Sequence, residues 1–348
     1  MSALLEKLKR LNKRARHHFS RRALIVLYHR IADEGSDPWR LAVSPKNFEE
    51  HLQVLKQHCE VIPLQDLAIS LSKFKLFRHR IVVTFDDGYA DNLLVAKPLL
   101  EKYDVPATVF ITTGYIDGGR EFWWDELERL LIRPGVLPSV LDLTVNKTHT
   151  RWELGDAACY DEISFRRNQD WRAWQEEEPT ARHSVYRSLW QAMNLMNEED
   201  RLRLRGSLLE WAGATGTPRD SHRPMNAEEI VELVREGLIE VGSHTVTHAQ
   251  LSALDKAFQA HELRRSKTHL EEIIGSPVTA LAYPYGREFD YTTETLSLVK
   301  ETGFTYGCTT SAGLVEPPLD DFRLPRVQIN DMDGESFARF ISDWLDPD

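Results

Sequence analysis

Short apolar, β-branched runs recur along this chain, with amphipathic stretches between them. "ALIVLYH" (23–29), "EVIPL" (60–64), "RIVVTFDD" (80–87) and "ATVFITT" (107–113) predict strands in the first third. "LIEVGSH" (238–244), "VTALAYP" (278–284), "FTYGCTT" (304–310) and "LPRVQI" (324–329) predict four more. Most run apolar without alternation, which suits parallel strands covered on both faces. The intervening helices have readable ends. Ser44-Pro45 opens one toward Cys59, and Asn226 with Glu229 forms a capping box before "IVELVREG", which Gly237 ends. Eight such strands suit a parallel β/α barrel. His29, Asp86, Asp87, Thr112, His244, Tyr285 and Arg326 fall at or just past the ends of these runs. In a parallel barrel those ends converge on one mouth, where chemistry collects.

Residues 120–225 break the rhythm and hold seven of the nine tryptophans. "LDLTVNKTHTRWEL" predicts a hairpin around Asn146-Lys147, the stretch beyond Tyr186 reads as helical, and "GATGTPRDSHRP" as a loop returning to the barrel. The organisation is then a basic amphipathic segment (1–22), a barrel (23–119 and 226–348) and an inserted, mostly helical, Trp-rich subdomain (120–225). Most of those tryptophans are expected to fill a small core. Trp123 and Trp124, nearest a strand end, are the expected site-lining pair, where an aromatic face can stack on a sugar.

Charge and cysteines narrow the setting. Net charge is −11, yet residues 1–22 carry eight Lys/Arg against one Glu, so the rest of the chain sums to −18. An acidic body argues against nucleic acid as a partner. Leu4, Leu8, Leu11 and Ala15 share one face of the basic start, which allows peripheral contact with an anionic membrane surface. Cys59, Cys159 and Cys308 are odd in number and unpatterned, which fits a reducing compartment. No apolar run approaches the ~20 residues of a membrane span. A cytoplasmic location is the expectation.

Adjacent carboxylates such as Asp86 and Asp87 repel each other unless something uses the difference between them. "SHTVTH" supplies His244 and His248 at another strand end. Together they make a two-histidine, one-carboxylate metal site with room for water and substrate. One aspartate then binds the cation, while its neighbour takes a proton from the attacking water.

These motifs resemble those of the polysaccharide deacetylases, the NodB-homology or carbohydrate esterase 4 family. "TFDDGYADN" is similar to the family's first motif, "HTVTH" to its second, and "AYPYG" (282–286) to a variant of its third. The resemblance implies a distorted β/α barrel that removes N-acetyl groups from amino sugars with a divalent metal, commonly zinc. It implies Asp86 as general base, Asp87, His244 and His248 as metal ligands, and the Tyr285 N–H as an oxyanion donor.

Two departures stand out. Many members place an arginine where this chain has Ala282; Arg326, Arg30 and Arg287 are the candidate substitutes. Many also carry a catalytic histidine near the C-terminus, whereas the last histidine here is His269. Expelling an amine needs a proton. His29, in "LYHRI", is positioned to supply it, as in members that carry their acid on an N-terminal "YH" strand. The expected substrate is an acylated amino sugar before export, on a lipid carrier or nucleotide. Removal of a formyl group, or an inactive sugar-binding role in a glycan assembly complex, are the alternatives.

Overall fold

The structure is a computed structural model that describes residues 22–67, 79–116, 118–145, 148–318 and 320–345. The basic amphipathic segment, apart from Arg22, and the Asn146-Lys147 turn lie outside the described residues.

All eight expected strands form, and they form one sheet. They are β1 Ala23–Tyr28, β2 Cys59–Val61, β3 His79–Phe85, β4 Ala107–Ile111, β5 Ile239–Ser243, β6 Ala280–Ala282, β7 Tyr306–Cys308 and β8 Val327–Gln328. Their order is β7-β6-β5-β4-β3-β1-β8, with β2 paired to the start of β3. Every pairing in this sheet is parallel. β1 runs along β3 from Ala23 opposite Arg80 to Tyr28 opposite Phe85. On the other edge of β3, β2 takes residues 79–81 and β4 takes 83–85. The sheet curls until its ends meet, because Cys308 of β7 bridges Leu324, which leads into β8. The result is a distorted β/α barrel.

Alternate residues of each strand face two apolar regions. Ala23, Ile25, Val82, Phe110, Ala282 and Cys308 fill the interior. Leu24, Val26, Tyr28, Val83 and Val109 pack under the helices. Burial on both faces is why the strand segments read as unbroken apolar runs. The helices are α1 Pro45–His58, α2 Lys97–Tyr103, α3 Trp123–Leu131, α4 Glu162–Asn168 and α5 Ala181–Asn194. They continue with α6 Glu198–Ala212, α7 Ala227–Val234, α8 Lys256–Ile274, α9 Thr293–Thr302 and α10 Gly334–Leu345. The Ser44 cap and the Asn226/Glu229 capping box both form.

Helices α3, α5 and α6 share an apolar cluster around Leu131, Trp171, Tyr186, Leu189 and Leu208. Val140–Val145 and Thr148–Glu153 pair antiparallel beside it. Buried ion pairs knit the region together, with Arg219 donating to Glu121 at 2.9 Å and Glu128 at 2.8 Å. One placement differs from the sequence expectation: Arg326 precedes β8 instead of lying at a strand end. β8 is only two residues long, so the Leu324–Arg326 stretch is not ladder but the connection that closes the barrel. Among the described residues no helix is long and apolar enough to cross a membrane.

Candidate active site

The loops after β1, β3, β5 and β6 bring His29, Asp86, Asp87, His244, His248 and Tyr285 to one cavity of about 450 Å³. β3 ends at Phe85, and Asp87 and Gly88 then turn left-handed, at φ 75° and 85°. That turn separates the two carboxylates. Gly88 is required twice over: by its φ, and because a Cβ there would lie 3.1–3.3 Å from Ile111.

Asp86 faces Arg326. The guanidinium is fully buried and donates to both carboxylate oxygens at 2.7 Å, to the Thr309 carbonyl at 2.8 Å and to Thr84 Oγ1 at 3.3 Å. Burial alone pushes the Asp86 carboxyl up, but Arg326 and then His244 outweigh it and hold it below its usual range. Of the three candidate arginines, only Arg326 pairs with Asp86. Arg30 pairs with Glu34 at 2.8 Å and Asp91 at 3.0 Å, and Arg287 with Asp290 at 3.0 Å.

Asp87 faces the histidines. Its Oδ1 lies 3.6 Å from His244 Nε2 and 3.4 Å from His248 Nε2, and one ligand atom from each of the three residues falls within 4.8 Å of the others. Atoms bound at 2.0–2.2 Å to one tetrahedral ion sit about 3.4 Å apart, so the spacing suits a shared ion. Asp87 Oδ1 is buried with no hydrogen-bond partner. Burial, then Asp86, then Asp125 push this carboxyl well up, so its ionised form calls for a nearby positive charge. His244 Nδ1 bonds the Ala282 carbonyl at 2.8 Å, which turns Nε2 toward the cluster. Burial lowers the pKa of both histidines, so each keeps the neutral form that a ligand needs. A divalent ion fits these residues.

The turn carrying His248 is held from three sides. Thr245 and His248 adopt left-handed φ of 64° and 54°. Glu262 on α8 accepts from the Val246 and Thr247 amides at 2.8 and 2.9 Å and from Thr247 Oγ1 at 3.0 Å. Arg201 on α6 donates to the Thr247 carbonyl at 2.9 Å, and the Gly114 amide to the Val246 carbonyl at 2.7 Å. A Cβ at Gly114 would lie 2.5 Å from that carbonyl oxygen. Nothing in the local sequence signalled Glu262 or Arg201.

His29 lines the cavity with Nδ1 buried and unbonded, and burial lowers its pKa to about 4 against the pull of Asp86. The His248 ring lies between Trp124 and Tyr285, at 4.7 and 4.8 Å. Trp124 lines the cavity as expected by position, but Trp123 does not. Adjacent helical residues project about 100° apart, so one of the two must turn away. Trp123 packs in the helical cluster at 3% exposure, under the Arg201 guanidinium. Trp39, Trp174 and Trp190 line the cavity as well. Trp39 carried a readable signal, since it follows the same strand end as His29; Trp174 and Trp190 are brought in by the helical packing.

The same barrel fold occurs in solved structures. Streptococcus pyogenes PplD, solved in complex with acetate, superposes with a TM-score of 0.57 at 19% identity, over 94% of this chain and 99% of that one. IcaB from Ammonifex degensii gives 0.54 at 18% identity, over 93% and 97%. In sequence, the polysaccharide deacetylase family matches residues 75–135 and 212–307, which carry Asp86, Asp87, His244, His248 and Tyr285. The chain carries a polysaccharide deacetylase domain, split across these two segments. Bacillus subtilis YxkH is 22% identical over 320 residues, 91% of this chain and 75% of that protein. The poly-β-1,6-N-acetyl-D-glucosamine N-deacetylase of Staphylococcus aureus is 28% identical over 128 residues, 34% of this chain and 42% of the enzyme.

Proposed function

We propose that this protein is a metal-dependent N-deacetylase of amino sugars in a glycan or glycan precursor. The observation that carries the reading is the division of labour between two neighbouring carboxylates. Asp86 is kept ionised by Arg326, while Asp87 is buried with Oδ1 unbonded and faces two neutral histidines. The name of the Staphylococcus aureus relative supports an N-acetylated hexosamine as the substrate unit.

Asp87, His244 and His248 would hold the ion, and two imidazoles with one carboxylate favour zinc. When bound, such an ion polarises the acyl carbonyl and lowers the pKa of water. Asp86 accepts the proton of the water that attacks the carbonyl carbon, and Arg326 keeps both its oxygens aligned. The Tyr285 N–H, in a turn held at φ 61°, donates to the oxygen that gains charge. Burial leaves His29 neutral at rest. It takes its proton from solvent and passes it to the nitrogen as the C–N bond breaks, leaving an acid and an amine.

The test is to incubate metal-loaded and chelator-stripped protein with N-acetylated and N-formylated amino sugars and to identify the released acid by mass. Acetate released only by loaded protein is the expected result. Equal release without metal, or none from any substrate, overturns the reading.

A further inference from the structure

The cavity has an aromatic wall that none of these steps uses. Trp190 on α5 and Trp39, in the loop after β1, stack with ring centres 4.1 Å apart and planes inclined by 27°. Trp39 and Trp174, between α4 and α5, follow at 5.8 Å and 21°. Two hydrogen bonds fasten this column. Trp39 Nε1 donates to the Tyr186 hydroxyl at 2.7 Å, and the Ala173 amide to the Pro38 carbonyl at 3.0 Å. At the inner end Trp190 meets the Tyr285 ring edge-on at 6.1 Å, next to His248. At the outer end Trp174 lines the cavity and is 45% exposed.

Trp190 and Trp39 cover each other, so the indole surface left for a ligand is largely that of Trp174. A contiguous aromatic surface open to water beside a cavity, as Trp174 makes with the column behind it, marks a ligand-binding groove. Its charge setting limits the ligand. Among the described residues lining the cavity, Arg287 alone carries a permanent positive charge, and Asp290 already pairs with it at 3.0 Å. A carrier phosphate would call for unpaired charged donors. A neutral pyranose instead offers a C–H face that matches an indole.

We propose that Trp174, supported by the Trp190–Trp39 column, is a subsite for a neutral sugar ring adjoining the acylated one. The site then works on a chain of sugars in preference to a single phosphate-linked unit. This rests on the deacetylase reading above.

The experiment compares kcat/KM for N-acetyl-D-glucosamine, its 1-phosphate and its β-1,6-linked tetramer in wild type, Trp174→Ala and Trp174→Phe. Wild type is expected to prefer the tetramer over both single sugars. Trp174→Ala should cut the tetramer-to-monomer ratio about 3–10-fold, the size of one aromatic contact, and Trp174→Phe should restore most of it. Tetramer affinity, measured by calorimetry in an Asp86→Asn background, should fall by the same factor on adding Trp174→Ala. An unchanged ratio in an active enzyme, or a preference for the 1-phosphate, overturns the subsite alone. A wild type inactive on every acylated amino sugar strikes at the deacetylase reading instead.

Discussion

Replacing Glu262 with Ala should loosen metal binding without touching a ligand. The carboxylate takes two backbone amides and one hydroxyl of the turn between the histidines. A hydrogen bond to a charged acceptor contributes about 1.5–3 kcal/mol, so the three together exceed the strain of the turn they oppose. That strain is of order 1–3 kcal/mol for each non-glycine residue held left-handed, here Thr245 and His248. With the acceptor gone, the cheaper course is for the turn to relax and carry His248 away from Asp87. Loss of a supporting contact of this kind lowers metal affinity about 10–100-fold. Glu262→Gln keeps one acceptor oxygen for the amides and can donate to Thr247 Oγ1, so its loss should stay under about tenfold. Arg201→Met, which frees the Thr247 carbonyl from the other side, should resemble Glu262→Ala. The assay is competition for Zn²⁺ against a chromophoric chelator, with far-ultraviolet circular dichroism to confirm the fold. A folded Glu262→Ala protein binding zinc within twofold of wild type would refute the reasoning, and show that the barrel alone places His248.

Three further perturbations read other parts of the structure. Arg326→Met strands a buried carboxylate and should cost about 3–5 kcal/mol in urea unfolding along with most turnover; Ala282→Arg, returning a guanidinium to the same interior, should recover part of both, and an unaltered unfolding midpoint in Arg326→Met alone would count against the pair. His29→Ala should slow amide hydrolysis by about 10²–10⁴ and that of an ester analogue much less, because an alcohol leaves with less need of a proton; near-normal amide turnover would send the search for the acid elsewhere. His51, fully buried between the Tyr28 hydroxyl and the Met332 carbonyl, has its pKa lowered from 6.5 to about 4, chiefly by burial. The unfolded chain therefore binds the extra proton first, and stability present above pH 6.5 falls as pH drops toward 4, by about 2 kcal/mol at pH 5. His51→Gln should flatten unfolding free energy between pH 7 and 5 by that amount, and an unchanged slope would place the titration on another group.

The barrel was legible because its causes are local. Parallel strands buried on both faces must be apolar without alternation, so all eight announced themselves, and parallel strand ends must share a mouth. That logic alone puts Asp86, Asp87, His244 and His248 together, as the cavity does. What stayed hidden depends on side-chain reach across the fold. Arg326 approaches Asp86 through the barrel interior over a sequence separation of 240 residues, and it was indistinguishable in sequence from Arg30 and Arg287. β6 brings Ala282 to the interior, and the guanidinium that meets Asp86 comes instead from Arg326 in the closing segment, a link visible only in three dimensions. Nearness to a strand end points to Trp123 and Trp124 alike, yet helical geometry lets only Trp124 of the pair face the cavity. The turn between the two histidines has the same character. His244 and His248 are visible as a motif, whereas Glu262 lies 14 residues further along and Arg201 belongs to the inserted helices. Since Arg201 braces the turn and Trp174 and Trp190 wall the cavity, the helical region is part of the site that the barrel motifs announce.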